Sequence, residues 1–347
     1  MLTPPRTTTA VAAPAAGEVD APASFAVLDV PLDPMGPHDL LVEVRAVSVN
    51  PVDVKVRASF PAQAAPKVLG FDAAGVVVAT GSEVTFFAPG DEVYYAGSIA
   101  RTGSNAEHHL VDERIVGPKP ASLDFVQAAA APLTAITAWE TLFERMGLTA
   151  KSAGTLLVVG GAGGVGSMVT QLARQLTGTT VIATASRDES QAWARRMGAH
   201  HVVDHRRLRE EVAEVAPGGV DHIFSPFSAG NVQTYADIMN VHGQVVAVDE
   251  PEGLDTLPLK ARSQTWHWEL MFSRPLHDPT STAQRDLLVR VAALFDAGVL
   301  ESTLTRTLGP LTADTLREAH RLLESSRTIG KVAMPVTHAP SSGAYTA

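Results

Sequence analysis

Cysteine is absent from all 347 residues. Its absence removes disulfides, thiolate-held zinc, iron–sulfur clusters and a cysteine nucleophile, and with them the disulfide-stapled secreted scaffold. Basic residues are in deficit: 27 Lys and Arg against 37 Asp and Glu give a net charge of −10. A chain of that sign repels phosphate backbones and anionic lipid on average, so neither nucleic acid nor a membrane is expected as partner. No apolar run reaches the roughly 18 residues of a membrane span. The longest, around Phe125 to Trp139, is broken by Gln127 and Pro132. The alanine-rich start, with Pro14 and the acidic residues after it, makes a poor signal peptide, and a cytoplasmic protein is expected. Neither a GxSxG elbow nor a GxxxxGK[ST] loop occurs, so serine hydrolysis and phosphoryl transfer lack their motifs.

What is present divides the chain by rhythm. From about Thr7 to Pro120 short β-rich runs such as LLVEVRAVSV (40–49) and AAGVVVATG (73–81) are punctuated by Gly and Pro, the pattern of a compact β-barrel-like unit. From about Ala131 the pattern becomes strand, helix, strand. TLLVVGG (155–161), TTVIATAS (179–186), HVVDH (201–205), VDHIFSPF (220–227) and GQVVAVD (243–249) alternate with helical stretches. That alternation predicts a doubly wound parallel sheet. After Ser281 come two amphipathic helices, a strand-like LESTLTRTLG and a closing GKVAMPV, with HAPSSGAYTA read as a disordered tail. The α/β reading therefore places a substrate domain at 1–130 and 281–347 around a dinucleotide-binding domain at 131–280, although periodicity alone does not derive that join.

The strongest chemical signal is VVGGAGGVGSM (158–168), where Gly161-x-Gly163-x-x-Gly166 follows a strand and opens a helix. In that context the glycines allow a tight turn and close approach to a pyrophosphate, and the helix N-terminus supplies N–H groups and a positive dipole end. Gly164 and Val165 lie in the same turn. An NAD site would carry a carboxylate about 20 residues on. Here that place holds Ser186 and Arg187, with no carboxylate before Asp188, which reads as the N-cap of the next helix. A hydroxyl and a guanidinium suit a 2′-phosphate, so the expected cofactor is NADPH. A solvated surface arginine is the competing reading.

The set SVNPVDVKVR (48–57), LGFDAAGVV (69–77), GDEVYYAG (90–97), PLTAITAWETL (132–142), GGAGGVG (160–166) and GKVAMPV (330–336) resembles the medium-chain dehydrogenase/reductase superfamily. It is similar to the quinone oxidoreductase branch, and most similar to bacterial proteins labelled zinc-type alcohol dehydrogenase-like. SNAEHHLVDERIVGPKP (104–120) and WHWELMF (266–272) strengthen that likeness. The resemblance implies a GroES-like β-barrel domain beside a Rossmann domain, and a homodimer. Zinc-dependent members carry Cys where this chain has Asn50 and His where it has Phe71, so no metal is expected.

The resemblance further implies that Asn50 sits beside the nicotinamide with Asp53 and Lys55 near the same floor, and that Thr134 and Lys331 reach the cofactor. His205 and Val248, at the ends of the third and fifth strand-like runs, are further cofactor candidates. Each has a plainer reading: Asn50 and Asp53 as caps of a Pro-containing turn, Lys55 as a surface charge. Phe60, Tyr94, Trp268 and Phe272 are candidate walls of a substrate pocket. Strand alternation puts one of Tyr94 and Tyr95 inward, and the Trp266–Phe272 run reads as core or subunit contact before substrate stacking. The expected activity is zinc-independent transfer of hydride from NADPH to a small molecule, a quinone or α,β-unsaturated carbonyl. The alternatives are an enoyl reductase on a carrier- or CoA-bound intermediate and an NADPH-binding sensor with little turnover.

Overall fold

The structure is a computed structural model that describes residues 5–21 and 23–338. Its chain forms two compact units: Met1–Leu133 with Phe272–Ala297 and Leu304–Ala347, and Thr134–Met271 with Gly298–Thr303. The second crossing falls at 271/272 rather than at the 280/281 expected from rhythm, because the helix Ser273–His277 goes with the first unit.

In the second unit, strands Thr155–Val158, Thr180–Thr184, His201–Val203, Val220–Ser225, Met239–Ala247 and Thr265–Trp268 make one parallel sheet. Their spatial order is third, second, first, fourth, fifth, sixth. Leu157, Ile182, Ile223 and Val245 are fully buried on neighbouring strands, which is why these strands read as unbroken apolar runs instead of alternating ones. The order reverses between the first and fourth strands, and ligands of such sheets bind outside the carboxyl ends at that point. The sixth strand is the part of WHWELMF that periodicity left unassigned. Behind the sheet edge, a π-helical stretch Glu140–Arg145 carries the buried Glu140, and Arg145 Nε lies 2.9 Å from Glu269 Oε2. Burial and the neighbouring Glu140 carboxyl push Glu269 well above the usual carboxylate range.

The first unit holds a three-stranded sheet, Ala26–Pro31, Thr7–Ala13 and Lys67–Val68. A seven-stranded sheet is built around the long strand Asp39–Ser48, which pairs with Ala73–Thr80, His108–Asp112 and Lys331–Pro335. Val42, Val44, Leu69, Val93 and Met334 fill its core. The segment after Val49 is a helix, Pro51–Ser59, where the sequence reading had a turn. Proline suits the first helical position because that N–H has no intrahelical partner in any case. Asp53, at the third position, accepts the Asn50 N–H at 2.8 Å and so anchors the helix start. Of the segment read as a tail, His338 is tied to the Val44 carbonyl at 2.8 Å, and residues 339–347 lie outside the described residues.

His320, on the helix Ala313–Glu324, is fully buried edge-on to Phe25, and neither ring nitrogen has a hydrogen-bond partner among the described residues. Burial, with the nearby Arg57 charge, holds its imidazole down at about 3. The unfolded chain therefore takes up this proton first, near pH 6.5, and folding stability declines by about 1.4 kcal/mol for each pH unit below that. Chemical denaturation at pH 7.5 and 5.0 should show about 2 kcal/mol of this loss in the parent chain and correspondingly less in His320→Leu. An unchanged difference between the two pH values in the variant would contradict the assignment.

Candidate active site

Three glycines in the second unit's turn are required for three different reasons. Gly160 has φ of +69°, so an L side chain there is strained. A Cβ on Gly161 would lie 2.6 Å from the Ala183 Cβ on the neighbouring strand, and one on Gly166 would lie 2.3 Å from the Gly160 carbonyl oxygen. Gly163 differs: its nearest neighbour to such a Cβ is the Gly160 oxygen at 3.3 Å. The turn is closed by Gly163 N–H to Gly160 O at 2.9 Å, and Gly163 caps the helix Gly164–Leu176. The first backbone N–H groups of that helix, from Gly164 and Val165 onward, have no intrahelical acceptors, the state in which a helix start receives an anion.

Ser186 and Arg187 follow the second strand, whose Thr184 carbonyl accepts the Gly161 N–H at 3.1 Å. Arg187, not Asp188, is the residue capping the helix Asp188–Arg196, with its N–H on Ser190 Oγ at 3.1 Å. Asp188 is exposed in the first helical turn, so the end of the strand itself carries no carboxylate. His205 opens a short 3₁₀ turn past the third strand, exposed, with Asp204 at 3.8 Å and Arg206 beside it. The Arg206 guanidinium holds Asp204 at about 2. Val248 sits just past the fifth strand, its N–H on the Ser225 carbonyl at 3.1 Å. Glycine turn, Ser186, Arg187 and Val248 thus share the carboxyl edge of one sheet. Thr134 is buried at the head of this unit, and Trp268 lies half exposed on the edge strand.

The first unit gathers a different cluster. Lys331 Nζ is buried and donates to Val49 O at 3.0 Å, Asn50 Oδ1 at 2.5 Å and Asp72 Oδ2 at 2.9 Å. All three of its N–H bonds are thereby used inside the unit, so the ammonium builds the floor of the cluster and has no donor left for a cofactor. Asn50 Nδ2 donates to Asp72 Oδ2 at 2.8 Å, and Asp72 Oδ1 accepts the Leu133 N–H at 2.7 Å. These charged partners fix which way the Asn50 amide faces, leaving one amide N–H uncommitted to them. Asp53 bridges Asn50 N–H and Gly70 N–H at 2.8 and 2.9 Å. Burial pushes Asp53 up to about 7, against the pull of those two donors and of Lys331. It also raises Asp72, opposed chiefly by Lys331.

Asn50, Asp53 and Lys331 are therefore brought together, whereas Lys55 is exposed on the outer face of its helix. Phe272 packs edge-on to Phe71 at 5.4 Å, next to Asp72, and Phe60 belongs to the unit's core. Tyr94 and Tyr95 are both fully buried. Tyr94 donates to the Leu288 carbonyl at 2.7 Å, and Tyr95 stacks on His109 with its hydroxyl 3.1 Å from Nδ1. Alternation does send them to opposite faces, but both faces are covered. Asp72, the hub of the cluster, was missed by motif reading. Its signal was a carboxylate inside the apolar run LGFDAAGVV, where a charge survives only if paired.

The family resemblance raises zinc as a test of these residues. The one acceptor of the Asn50 side chain already faces an ammonium, and Phe71 offers none, so the set does not fit a dication. Among the described residues no group of three or more His, Asp or Glu is arranged to hold a metal, and no helix is long and apolar enough to cross a membrane.

Fold and site together define a Rossmann-like α/β unit, with a glycine turn at the reversal point of its sheet, joined to a β-rich companion. A sequence profile for the alcohol dehydrogenase GroES-like domain matches residues 36–121, and one for zinc-binding dehydrogenase matches 197–334. A zinc-type alcohol dehydrogenase-like protein of Staphylococcus epidermidis is 39% identical over 88% of this chain and 92% of its own. The 2-methylene-furan-3-one reductase of Solanum lycopersicum is 32% identical over 84% of this chain and 70% of its own. A crystal structure from Rhizobium etli CFN 42, assigned to the zinc-dependent alcohol dehydrogenases, superposes with a TM-score of 0.91 at 46% identity over 96% of this chain and 99% of that one. The chain belongs to the medium-chain dehydrogenase/reductase superfamily.

Proposed function

We propose that the chain is an oxidoreductase that uses NADPH to reduce quinones or α,β-unsaturated carbonyl compounds without zinc. The observation that carries this reading is the glycine turn at the reversal point of the sheet, flanked by Ser186 and Arg187 where an NAD site would place a carboxylate. NADPH, when bound, supplies the hydride. The chain's own residues orient the acceptor and answer the charge that develops on its oxygen. The Asn50 amide, held by Asp72 and Lys331, has one N–H to give to such an oxygen, and a preorganised donor of this kind replaces a Lewis acid when the charge is already delocalised. The relation to a plant enzyme named as a reductase of a conjugated ketone supports the substrate class. The homodimer is part of the same reading.

Arg187→Ala tests the cofactor assignment. Losing one or two charge-assisted bonds, about 1.5–4 kcal/mol in all, should weaken NADPH binding by roughly ten- to a thousandfold and leave NADH nearly unchanged. Titrations of both nucleotides check it, and equal losses for the two would remove the basis for preferring NADPH.

A further inference from the structure

Phe227 lies just beyond the fourth strand, Val220–Ser225, and is 57% exposed. It is not a loose surface ring. Its N–H donates to Ser225 Oγ at 3.2 Å, and its carbonyl accepts Asn231 Nδ2 at 2.8 Å and Tyr235 Oη at 2.9 Å. Ser225 Oγ and Tyr235 Oη are themselves 2.9 Å apart. The next residue is fixed as well: Ser228 donates its N–H and its hydroxyl to Asp249, each at 2.6 Å. The ring borders the glycine turn directly, since a Cβ on Gly160 would meet Phe227 Cε2 at 3.4 Å and Pro226 Cγ at 3.3 Å. Six hydrogen bonds thus hold an uncovered aromatic face against the backbone that receives the pyrophosphate.

The placement also has a direction. The first strand leads into the turn, the second strand beside it is followed by Ser186 and Arg187, and the fourth strand on its other side is followed by Phe227. A dinucleotide whose pyrophosphate sits on the turn sends one half each way. The 2′-phosphate belongs to the adenosine half, so the guanidinium draws that half toward the second strand, and the other half crosses the fourth. We propose that Phe227 is a binding residue for the nicotinamide half, an apolar platform for the nicotinamide or its ribose that pairs with the Arg187 grip across the turn. The proposal rests on reading the turn as an NADPH site.

Two ligands separate the possibilities: NADPH, and adenosine 2′,5′-bisphosphate, which has the adenosine half alone. Aromatic contact with a base-like ring is worth about 1–3 kcal/mol, so Phe227→Ala should raise the Kd for NADPH roughly ten- to a hundredfold while changing that for the bisphosphate less than about twofold. Phe227→Trp, which keeps a face, should restore NADPH. An unchanged NADPH affinity in Phe227→Ala overturns the proposal, as does an equal loss for both ligands, which would place the ring with the adenosine half or with the shape of the turn. Parent protein that binds neither ligand overturns the dinucleotide reading itself, and the proposal with it.

Discussion

Asp72→Ala destabilises the folded chain by about 3–5 kcal/mol, because it leaves the buried Lys331 ammonium without its counter-charge. Lys331 and Asp72 are 4% and 0% exposed, so water cannot take the carboxylate's place. The same carboxylate accepts from Asn50 Nδ2 and the Leu133 N–H, and removing it strands those donors too. The expected result has a second half. In Asp72→Leu combined with Lys331→Met neither member of the ion pair is left without its partner, and stability should return to within about 1–2 kcal/mol of the parent. Activity should not return, since the Asn50 amide has lost both groups that orient it. Urea denaturation gives the first comparison and NADPH oxidation the second. A single variant as stable as the parent, or a double variant no better than the single, would show that the pair does not hold this cluster together.

Gly166→Ala and Gly163→Ala should part company in the same way. At position 166 the new methyl meets the Gly160 oxygen at 2.3 Å and the Gly161 Cα at 2.9 Å, all backbone atoms that yield only if the helix start moves off the sheet. Overpacking of that kind costs about 1–3 kcal/mol, so Tm falls and NADPH affinity falls with it. At position 163 the methyl meets the Gly160 oxygen at 3.3 Å, a contact relieved by a shift of a few tenths of an ångström rather than by moving the helix. On the proposed reading the methyl stands where a pyrophosphate approaches the backbone. Gly163→Ala should lose much less Tm than Gly166→Ala and still lose about tenfold or more in NADPH affinity. If Gly163→Ala bound NADPH as the parent does, the turn would not be contacting phosphate in the manner described.

These contrasts also show where the sequence was legible. The glycine fingerprint was readable because strand, turn and helix each leave a local signature, and the strand–helix alternation announced the parallel sheet. Gly160 escaped because its requirement is a backbone angle, which no spacing rule encodes. The helix Pro51–Ser59 was read as a turn because proline signals both, and only the Asp53 contact to Asn50 N–H decides between them. Tyr94 and Tyr95 alternate as a strand requires, yet alternation says nothing about whether a second layer covers the outer face. Asp72 and Lys331 are 259 positions apart, and no local pattern predicts a pair that only the sheet register brings together. Lys331 was accordingly expected to reach the cofactor, when all its donors serve Asn50, Asp72 and Val49.

The central claim is that this chain reduces a conjugated carbonyl or quinone with NADPH and without zinc. Its most direct test follows NADPH absorbance with purified protein against a panel of quinones, enones and enoyl thioesters, with NADH alongside and a zinc chelator in parallel reactions. Turnover of a quinone or enone with NADPH, slower with NADH and unaffected by the chelator, is the predicted result. NADPH that binds tightly but is not oxidised by any acceptor, or turnover abolished by the chelator, would contradict it.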